Sequence, residues 1–531
     1  VAADTAEIAS RAVALIEIEY EELPVVSDPV EARGKDAPVL HENRPDGNLL
    51  KHIKVRKGEV NNGFAEADVV VEKTYRTPMT EQLFLEPECS ISVPAGYDPS
   101  AFGGSADPAS ERGVHHVHRK TTIYTGSQIP YLDRSQTAAA MGVEEDQIRV
   151  VAALMGGGFG GKEDIAAQIQ TALLAERTSR PVKMLYTRQE SMLFHPKRHA
   201  TIIRIKTGAT KDGRLTAVEA ELYGDGGAYA SLSEKVMTRA TTHASGPYDV
   251  PHVKVDCYAM YTNNTPAGAF RGFGVTQSCY AVESNMDIVA EQLGLDPIEF
   301  RRRNTLAVGK VTCTGQTLME SCGLNTCVDL IEQEMKAHNE EIGRPFAWSW
   351  EEGTKRYAWG LGLAYKNTGL GGGAPDKSGA IVELWKEDDG RARAEVRTSS
   401  AEMGQGLPSV LAACVSEELG LAYDRIRVLL GDTDYCPDGG PTTASRQTYL
   451  SGNAVRYAAM KARAVLAGTV AERLGGDPGD YLFKDEKVAQ NGTSADLAEV
   501  IDWSLKSGKN LVADYEYWAP KTQPLGTGGK M

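Results

Sequence analysis

The sequence predicts an α+β protein built from two large mixed lobes that are related by an internal pseudo-repeat. Two hairpin turns, at 211–213 and 388–390, are flanked by β-rich runs, while other segments repeat apolar residues with helical spacing. A second observation is a sequence pattern that recurs in the two halves of the chain. The third is length, because 531 residues exceed what one hydrophobic core ordinarily organises. We expect the lobes at 26–310 and 311–531, after a short segment at 1–25.

The repeated pattern consists of a helix end, a glycine and the strand start D-x-I-R-V, and it occurs at 140–150 and 418–428. Each copy follows a glutamine-bearing tight loop and precedes a loop of small residues that opens a helix. These loops hold Gln128 and residues 156–163 in the first half, and Gln405 and residues 439–447 in the second. Any one such loop is also compatible with an ordinary tight turn. Four such loops at matching positions in the two halves predict that both halves face one shared ligand.

The composition excludes several classes of partner. With a formal net charge of −15, the chain is expected to bind neither nucleic acid nor an anionic membrane surface. No apolar run in the sequence reaches the roughly 20 residues that span a bilayer, and no export signal is recognisable. These features predict a cytoplasmic protein.

Signals for protein-bound metal are weak in this chain. Eight cysteines are scattered without a C-x-x-C pair, which predicts reduced thiols rather than an iron–sulfur cluster. His116 and His118 fall on one face of a short predicted strand, but no Cys, Asp or Glu with ligand spacing accompanies them. We therefore assign no metal ligand. The Gly-, Ser- and Pro-rich stretch at 94–113 predicts an exposed, mobile loop, and the ends at Val1 and Met531 are typical of a cut or processed chain.

The glycine-rich loop at 156–163 precedes a predicted amphipathic helix. Its G-x-G-x-x-G spacing suits a nucleotide fold, but the next strand is followed by Thr187 and Arg188 rather than by an acid that holds a ribose. The G-x-x-x-x-G-K spacing of a Walker loop is present too, yet Glu163 replaces the required Ser or Thr and would repel phosphate. We expect backbone amides that approach a ligand closely, with the Glu163 carboxylate at the start of the helix.

Five motifs together resemble the xanthine dehydrogenase and aldehyde oxidoreductase family of molybdenum hydroxylases, and their order and spacing agree with the family over nearly the whole chain. They are GSQ at 126–128, GGGFGGKE at 156–163, AFRGFG at 269–274, EMGQGL at 402–407 and PTTASRQ at 441–447. The resemblance implies a molybdopterin site between the two lobes and a hammerhead-like remnant at 1–25. It also implies an enzyme that inserts water-derived oxygen into a C–H bond while hydride passes to a molybdenum sulfido group.

The resemblance also implies which residues contact the cofactor. Gln128 would hydrogen-bond the oxo ligand of molybdenum, and Gly158, Phe159 and Gly160 would bring backbone amides near the metal. The pterin and its phosphate would be held by small or polar motif residues, namely Ala269, Phe270, Arg271, Gly404, Gln405, Gly406, Thr443, Ala444, Ser445, Arg446 and Gln447. Arg446 and Gln447 suit the cytosine dinucleotide form of the cofactor.

Substrate contacts are implied at three positions. Glu163 and Arg239 match the pair that grips the heterocycle and stabilises negative charge in purine-oxidising members, and Phe273 matches the ring beside the flat substrate. With Gln128, these are the predicted catalytic residues. Taken without the family, Glu163 would be an acid at a helix N-terminus and Arg239 a surface cation. No Phe occurs near 369–373, where the family has a second aromatic, and this disfavours xanthine itself.

Two further departures bear on activity. No cysteine precedes Phe270 to bridge copper, which disfavours carbon monoxide oxidation. The G-x-G-E segment that carries the family's catalytic glutamate does not occur before Met531, so we expect that base in a lost C-terminal portion or a partner chain. Electrons would leave through 2Fe–2S and FAD groups on partner domains or subunits of a hetero-oligomer.

The preferred hypothesis is therefore hydroxylation of an N-heteroaromatic substrate, such as a purine or nicotinate. An aldehyde oxidoreductase of the same family is the first alternative. A non-catalytic, cofactor-binding subunit of a split enzyme is the second.

Overall fold

The computed structural model describes residues 1–98 and 119–523. Most of the stretch at 94–113, predicted to be a mobile loop, lies outside the described residues, as do His116 and His118. No helix within the described ranges is both long and apolar enough to cross a membrane.

The chain forms two compact units, and each is assembled from segments that are distant in sequence. The first unit contains Val1–Glu22, Gln82–His195 and Thr368–Thr522, and the second contains Leu23–Glu81 and Pro196–Asn367. Both units draw on both halves of the sequence. The lobe boundaries at residues 25 and 310 therefore stay a prediction.

Strands and helices are interspersed along the chain, which confirms the predicted α+β class. The strands in the described residues are β1 (Leu49–Lys57), β2 (Val69–Thr77), β3 (Cys89–Val93), β4 (Thr121–Thr125), β5 (Ile148–Ala152), β6 (Val182–Leu185), β7 (Thr201–Ala209), β8 (Leu215–Asp225), β9 (His252–Met260), β10 (Ser349–Glu352), β11 (Lys355–Ala358), β12 (Lys377–Lys386), β13 (Ala392–Thr398), β14 (Ile426–Leu430), β15 (Leu482–Lys484), β16 (Lys487–Gln490), β17 (Thr493–Asp496) and β18 (Val512–Trp518). The α-helices there are α1 (Ala6–Val13), α2 (Val60–Ala65), α3 (Pro130–Met141), α4 (Gln168–Thr178), α5 (Arg188–Phe194), α6 (Ser233–Thr242), α7 (Val275–Leu293), α8 (Pro297–Asn304), α9 (Leu324–Glu341), α10 (Leu407–Leu419), α11 (Gly452–Leu474) and α12 (Leu497–Lys506).

The first unit contains the pseudo-repeat as two four-stranded sheets of the same topology, in the orders β5-β4-β3-β6 and β14-β13-β12-β18. In each sheet the first strand of this order, β5 or β14, pairs in parallel with its neighbour. The other two pairings are antiparallel. Helix α3 connects the parallel pair of one sheet and α10 that of the other. Both helices end at a left-handed glycine, Gly142 or Gly420, which lets the chain reverse without a Cβ clash. The repeat predicted from D-x-I-R-V is thus confirmed.

The second unit is organised around a five-stranded sheet in the order β1-β9-β8-β7-β2. The turn at 211–213 connects antiparallel β7 and β8, and in the first unit the turn at 388–390 connects antiparallel β12 and β13, as predicted. Helices α6 and α7 pack on the sheet of the second unit. Their buried side chains, which include Met237, Val282 and Met286, join the sheet residues in one apolar core that fixes both helices.

Candidate functional site

Gln128 connects the loops of the two repeat halves in the first unit. It follows β4 where the chain turns into α3, and its side chain is 1% exposed. Its backbone carbonyl accepts from the N–H of Thr442 at 2.9 Å, and its side-chain Nε2 donates to the carbonyl of Thr442 at 2.7 Å. The glutamine loop of the first half therefore contacts the small-residue loop of the second half.

The glycine-rich loop folds closely around the same amide. Gln128 Oε1 accepts from the N–H of Gly160 at 3.1 Å, and Nε2 donates to Glu163 Oε1 at 3.2 Å. A Cβ atom on Gly158 would lie 2.6 Å from Gln128 Oε1, which is shorter than any normal contact. Glycine at position 158 is thus required by the approach of the Gln128 side chain.

Both loops contain non-glycine residues in the left-handed backbone region. Phe159 has φ 54°, and in the second half Ala444 has φ 51° and Ser445 has φ 54°. Such residues cost about 1–3 kcal/mol each and are concentrated at functional sites. Three of them in two loops that meet at Gln128 mark this region as a candidate site.

These strained residues also present hydrogen-bond donors. Within residues 1–98 and 119–523, the backbone N–H groups of Phe159, Ala444 and Ser445 donate to no protein acceptor. Consecutive N–H groups on a left-handed turn form a concavity that attracts oxyanions. The arrangement can therefore bind an anionic group through the main chain.

An ion pair between the buried Lys162 and the partly exposed Glu86 holds the glycine-rich loop at its other end. Lys162 Nζ lies 2.9 Å from Glu86 Oε1, and Glu86 Oε2 accepts from the N–H of Gly156 at 2.7 Å. The Lys162 side chain is 1% exposed, so its ammonium stabilises the loop and does not face a phosphate as in a Walker loop. Sequence analysis missed Glu86, which belongs to no motif.

Glu402 organises the glutamine loop of the second half. Its carboxylate accepts from the N–H groups of Gly404 at 2.6 Å, Gly406 at 3.2 Å and Leu407 at 2.5 Å. Gln405 is bonded within this loop, from Nε2 to the carbonyl of Ala401 at 2.8 Å. Added Cβ atoms on Gly404 and Gly406 would meet nothing within 4 Å, so this loop leaves an open surface for a ligand.

Arg446 is buried, whereas the family resemblance implies that it contacts the cofactor. It is 1% exposed, and its guanidinium donates to Asp376 at 2.9 Å, to the carbonyls of Gly439 and Pro441, and to Lys377. The structure thus gives Arg446 an internal role, because its donors already hold the loop.

Its neighbours Thr443 and Gln447 also make contacts within the loop. Thr443 donates its N–H to Pro441 and accepts from the N–H of Arg446. Gln447 Nε2 donates to Thr442 Oγ1 at 2.9 Å. These bonds hold the turn in which Ala444 and Ser445 present their N–H groups.

The AFRGFG motif lies in the second unit, immediately before α7. Phe273 has φ 46°, and a Cβ on Gly274 would lie 2.1 Å from the carbonyl oxygen of Val236 in α6. Arg198 stacks 3.9 Å above the Phe270 ring and donates to the carbonyl of Arg271 at 2.9 Å. The exposed Arg271 and the buried Ala269 therefore sit on a strained loop fixed from two sides.

Arg239 lies on α6 of the same unit, beside residues that the sequence did not indicate. Arg239 is half-buried, which lowers its pKa, so it is less exposed than the surface cation of the alternative interpretation. The ring of Tyr365 lies 4.6 Å from that of His243, and the Tyr365 hydroxyl donates to the carbonyl of Thr242 at 3.1 Å. Tyr365 thus supplies an aromatic ring near the end of α6, a few residues before the stretch in which no Phe was found.

Glu163 is not the helix N-terminal acid of the alternative interpretation. Helix α4 begins at Gln168, not directly after the glycine-rich loop, so the expectation of a carboxylate at the helix start was wrong. Instead Glu163 is 9% exposed and accepts from Gln128. The intervening turn separates the loop from the helix dipole.

Family comparison assigns both sequence halves to one type of domain. The profile of a molybdopterin cofactor-binding domain matches residues 40–100 and 112–305, and a second profile with the same description matches residues 335–529. All five motif loops lie within these matches.

Similar proteins include two from bacteria. The chain is 35% identical over 509 residues to a probable xanthine dehydrogenase subunit of Bacillus subtilis (strain 168), covering 94% of this chain and 63% of that protein. It is 39% identical over 345 residues to the nicotinate dehydrogenase large molybdopterin subunit of Eubacterium barkeri, covering 65% of this chain and 74% of that protein.

Solved structures with the same fold span longer chains. The aldehyde oxidoreductase from Desulfovibrio gigas matches with a TM-score of 0.78 and 26% identity, over 97% of this chain and 51% of that one. Quinoline 2-oxidoreductase from Pseudomonas putida 86 matches with a TM-score of 0.82 and 24% identity, over 98% of this chain and 65% of that one, and supports the fold alone.

Proposed function

This chain belongs to the family of molybdenum-binding subunits that includes those of xanthine dehydrogenase and nicotinate dehydrogenase, and from this membership we propose that it takes part in hydroxylating an N-heteroaromatic substrate. The product oxygen comes from water, and the substrate class is a purine or a pyridine carboxylate. When bound, molybdopterin supplies the oxygen transfer and accepts the two electrons that leave the substrate.

The observation that carries this proposal is the pair of strained loops that meet at Gln128. Their N–H groups at Phe159, Ala444 and Ser445 have no protein acceptor in the described residues, and Gly404 and Gly406 leave the adjoining surface open. Anionic oxygens of a molybdopterin match such donors. The residues present therefore fit the group that the family profile names.

Gln128 is proposed to orient the cofactor as well as to join the loops. Its bond to Thr442 is short at 2.7 Å, whereas its bond to Glu163 is longer at 3.2 Å. Gln128 would exchange the longer bond for an oxygen of the cofactor. Glu163 Oε1 would then lose its bond to Gln128 and would accept a hydrogen bond from the heterocycle.

Substrate recognition is proposed for Glu163, Arg239 and Phe273. Glu163 would hydrogen-bond the heterocycle on the side of its ring nitrogen. Arg239 would stabilise the negative charge that grows on the ring during attack, an effect worth about 3 kcal/mol of the activation barrier. The Phe273 ring would orient a flat substrate. During attack on an aldehyde no negative charge grows on a heterocyclic ring, so Arg239 would have no such charge to stabilise. Aldehyde oxidation is therefore the second candidate.

The remaining parts of the proposal concern the assembly. We expect the cytosine dinucleotide form of the cofactor, electron transfer to 2Fe–2S and FAD groups on partner subunits, and a cytoplasmic hetero-oligomer. From the second half we expect cofactor contacts through the main chain around Ser445 rather than through the side chains of Arg446 and Gln447, which are buried and bonded within the chain.

Isotope labelling of the intact complex tests the function. The holoenzyme, purified with its partner subunits, is assayed with nicotinate, hypoxanthine and benzaldehyde in ¹⁸O-labelled water with an artificial electron acceptor. We expect molybdenum and a pterin in the protein, and ¹⁸O in a hydroxylated heteroaromatic product. A preparation that contains neither molybdenum nor pterin, or that oxidises only the aldehyde, would contradict the proposal.

A further inference from the structure

Arg198 contacts both ends of the loop that carries Phe273, although it belongs to none of the five motifs. Its half-buried guanidinium lies 3.9 Å from the centre of the Phe270 ring, and Nη2 donates to the carbonyl oxygen of Arg271 at 2.9 Å. Nη1 donates to the hydroxyl oxygen of Thr276 at 2.6 Å. These contacts lie before and after Phe273 in the sequence, so a single side chain spans the AFRGFG loop at 269–274.

The backbone between these contacts is strained. Gly272, Phe273 and Gly274 have φ angles of 97°, 46° and 91°. A phenylalanine in the left-handed region is unfavourable, and it persists only where the surrounding structure fixes the backbone. Inside the loop, the N–H of Phe273 donates to the carbonyl oxygen of Phe270 at 2.7 Å. The position of the Phe273 ring therefore depends on the groups that hold the two ends of the loop.

The guanidinium group suits this task because it is planar. It can lie against an aromatic ring while its N–H groups donate in its own plane, which an ammonium cannot do. Both hydrogen-bond acceptors of Arg198 are neutral, and burial lowers the pKa of Arg198 with no carboxylate of the described residues opposing that effect. Arg198 is therefore held for its geometry rather than as a member of an ion pair.

His199 fixes the backbone from which Arg198 extends. It is fully buried, and its Nε2 donates to Ser233 Oγ at 2.7 Å, because the Ser233 hydroxyl itself donates to the carbonyl oxygen of Ala267 at 3.0 Å. The His199 carbonyl oxygen accepts from Gln277 Nε2 at 3.4 Å. Burial, and then the charge of Arg198, lower the pKa of His199 to about 3, so the ring is neutral near pH 7. The base of Arg198 is thus anchored to the segments just before and just after the loop.

We infer that Arg198 is a positioning residue, which holds the AFRGFG loop so that the Phe273 ring lies against a flat aromatic ligand. Arg198 acts through Phe273 and not through contact with the ligand. This inference rests on the proposed function, in which Phe273 contacts the substrate, and it adds the residue on which the preference of the site for flat rings depends.

Two uncharged probes that do not react test the inference without turnover. Benzamide and cyclohexanecarboxamide carry the same amide on a flat and on a puckered ring, and neither contains the electrophilic ring carbon of an N-heteroaromatic. Their dissociation constants for the holoenzyme are measured by calorimetry. Because an aromatic contact favours the flat ring, we expect benzamide to bind about fivefold more tightly. This preference should disappear in Phe273→Leu and in Arg198→Met.

The double variant separates positioning from a general loss of packing. If Arg198 acts through Phe273, adding Arg198→Met to Phe273→Leu should weaken benzamide binding no further. A general loss of packing would instead weaken both probes in either background. Arg198→Lys keeps the charge but lacks the planar fork, and it should lose most of the preference. The control Arg76→Met, an exposed arginine on β2, should keep it.

The inference is overturned if Arg198→Met or Phe273→Leu keeps the benzamide preference, if the two effects add in the double variant, or if the wild type has no preference. If Arg198→Met does not retain molybdenum and pterin, Thr276→Val decides, because it removes one bond of Arg198 with a side chain of similar size. We expect a reduced preference in Thr276→Val, and a preference equal to that of the wild type overturns the inference. If the preference depends on Arg198 but no heteroaromatic is hydroxylated, the positioning role is upheld and the proposed function alone fails.

Discussion

The side chain of Gln128 donates to the carbonyl oxygen of Thr442 at 2.7 Å, while the N–H of Thr442 donates to the carbonyl of Gln128 at 2.9 Å. Residues 314 positions apart are thereby joined by reciprocal bonds, one from each half of the pseudo-repeat. Two sheets of equal topology present their loops at this contact, and the loops carry strained residues whose N–H groups have no acceptor among the described residues. This relationship is the structural basis for the proposed cofactor site.

Replacing Gln128 by Ala should loosen both loops. The variant removes the hydrogen bonds that the Gln128 side chain makes to the carbonyl of Thr442 and the N–H of Gly160, which costs about 1–3 kcal/mol for each buried group that water cannot reach. We expect a lower free energy of unfolding and a loss of bound molybdenum, measured by urea denaturation and metal analysis. Gln136→Ala is the matched control, because Gln136 is exposed on α3 and belongs to neither loop. Equal molybdenum contents in the two variants would refute the role of Gln128.

Gly158→Ala should weaken both folding and cofactor binding. The added Cβ would lie 2.6 Å from Gln128 Oε1 and 3.1 Å from Met403 Sδ, so the loops must move apart by a few tenths of an ångström or more. We expect a destabilisation of about 1–3 kcal/mol, together with a molybdenum content well below that of the wild type. Gly468→Ala in α11, where a Cβ meets nothing within 4 Å, should be neutral or slightly stabilising. A Gly158→Ala protein with full molybdenum content would show that the close approach has no functional role.

The repeat could be predicted from the sequence because the residues that mark it act on the nearby backbone. The left-handed glycines at 142 and 420 and the D-x-I-R-V strand starts depend only on nearby residues. Glu86 and Tyr365 could not be found in this way, since their partners are distant in sequence and no motif contains them. Arg446 shows another limit, because a sequence does not distinguish an arginine that binds a ligand from one that is buried in its own loop.

Stability should depend on pH through Asp133, on α3 after the Gln128 loop. Burial raises the pKa of its carboxyl from the usual 3.8 to about 7. Between these values the folded state retains a proton that the unfolded state releases, so this contribution to stability is complete below about pH 4 and is lost as the pH rises towards 7. Asp133→Asn should remove that part of the decline, giving a difference of at least about 1 kcal/mol in urea denaturation between pH 4 and 7. Parallel pH profiles for the wild type and Asp133→Asn would contradict this, and the exposed Asp146→Asn is the control.

Arg239→Met should distinguish the two substrate classes. If Arg239 stabilises negative charge on a heteroaromatic ring, its removal lowers kcat/KM for nicotinate or hypoxanthine by roughly 100-fold, equivalent to about 3 kcal/mol. Benzaldehyde oxidation, measured in the same holoenzyme, should fall much less. The exposed Arg76→Met on β2 serves as the control for loss of a positive charge. A larger loss for the aldehyde than for the heterocycle would reverse the ranking of the two functions.

The most direct measurement is a crystal structure of the holoenzyme with the molybdenum located by its anomalous scattering. The account predicts a molybdenum peak beside the Gln128 side chain, with cofactor oxygens within hydrogen-bond distance of the N–H groups of Phe159 and of Ala444 or Ser445. A molybdenum peak away from these loops, with Gln128 still bonded to both Glu163 and Thr442, would contradict it.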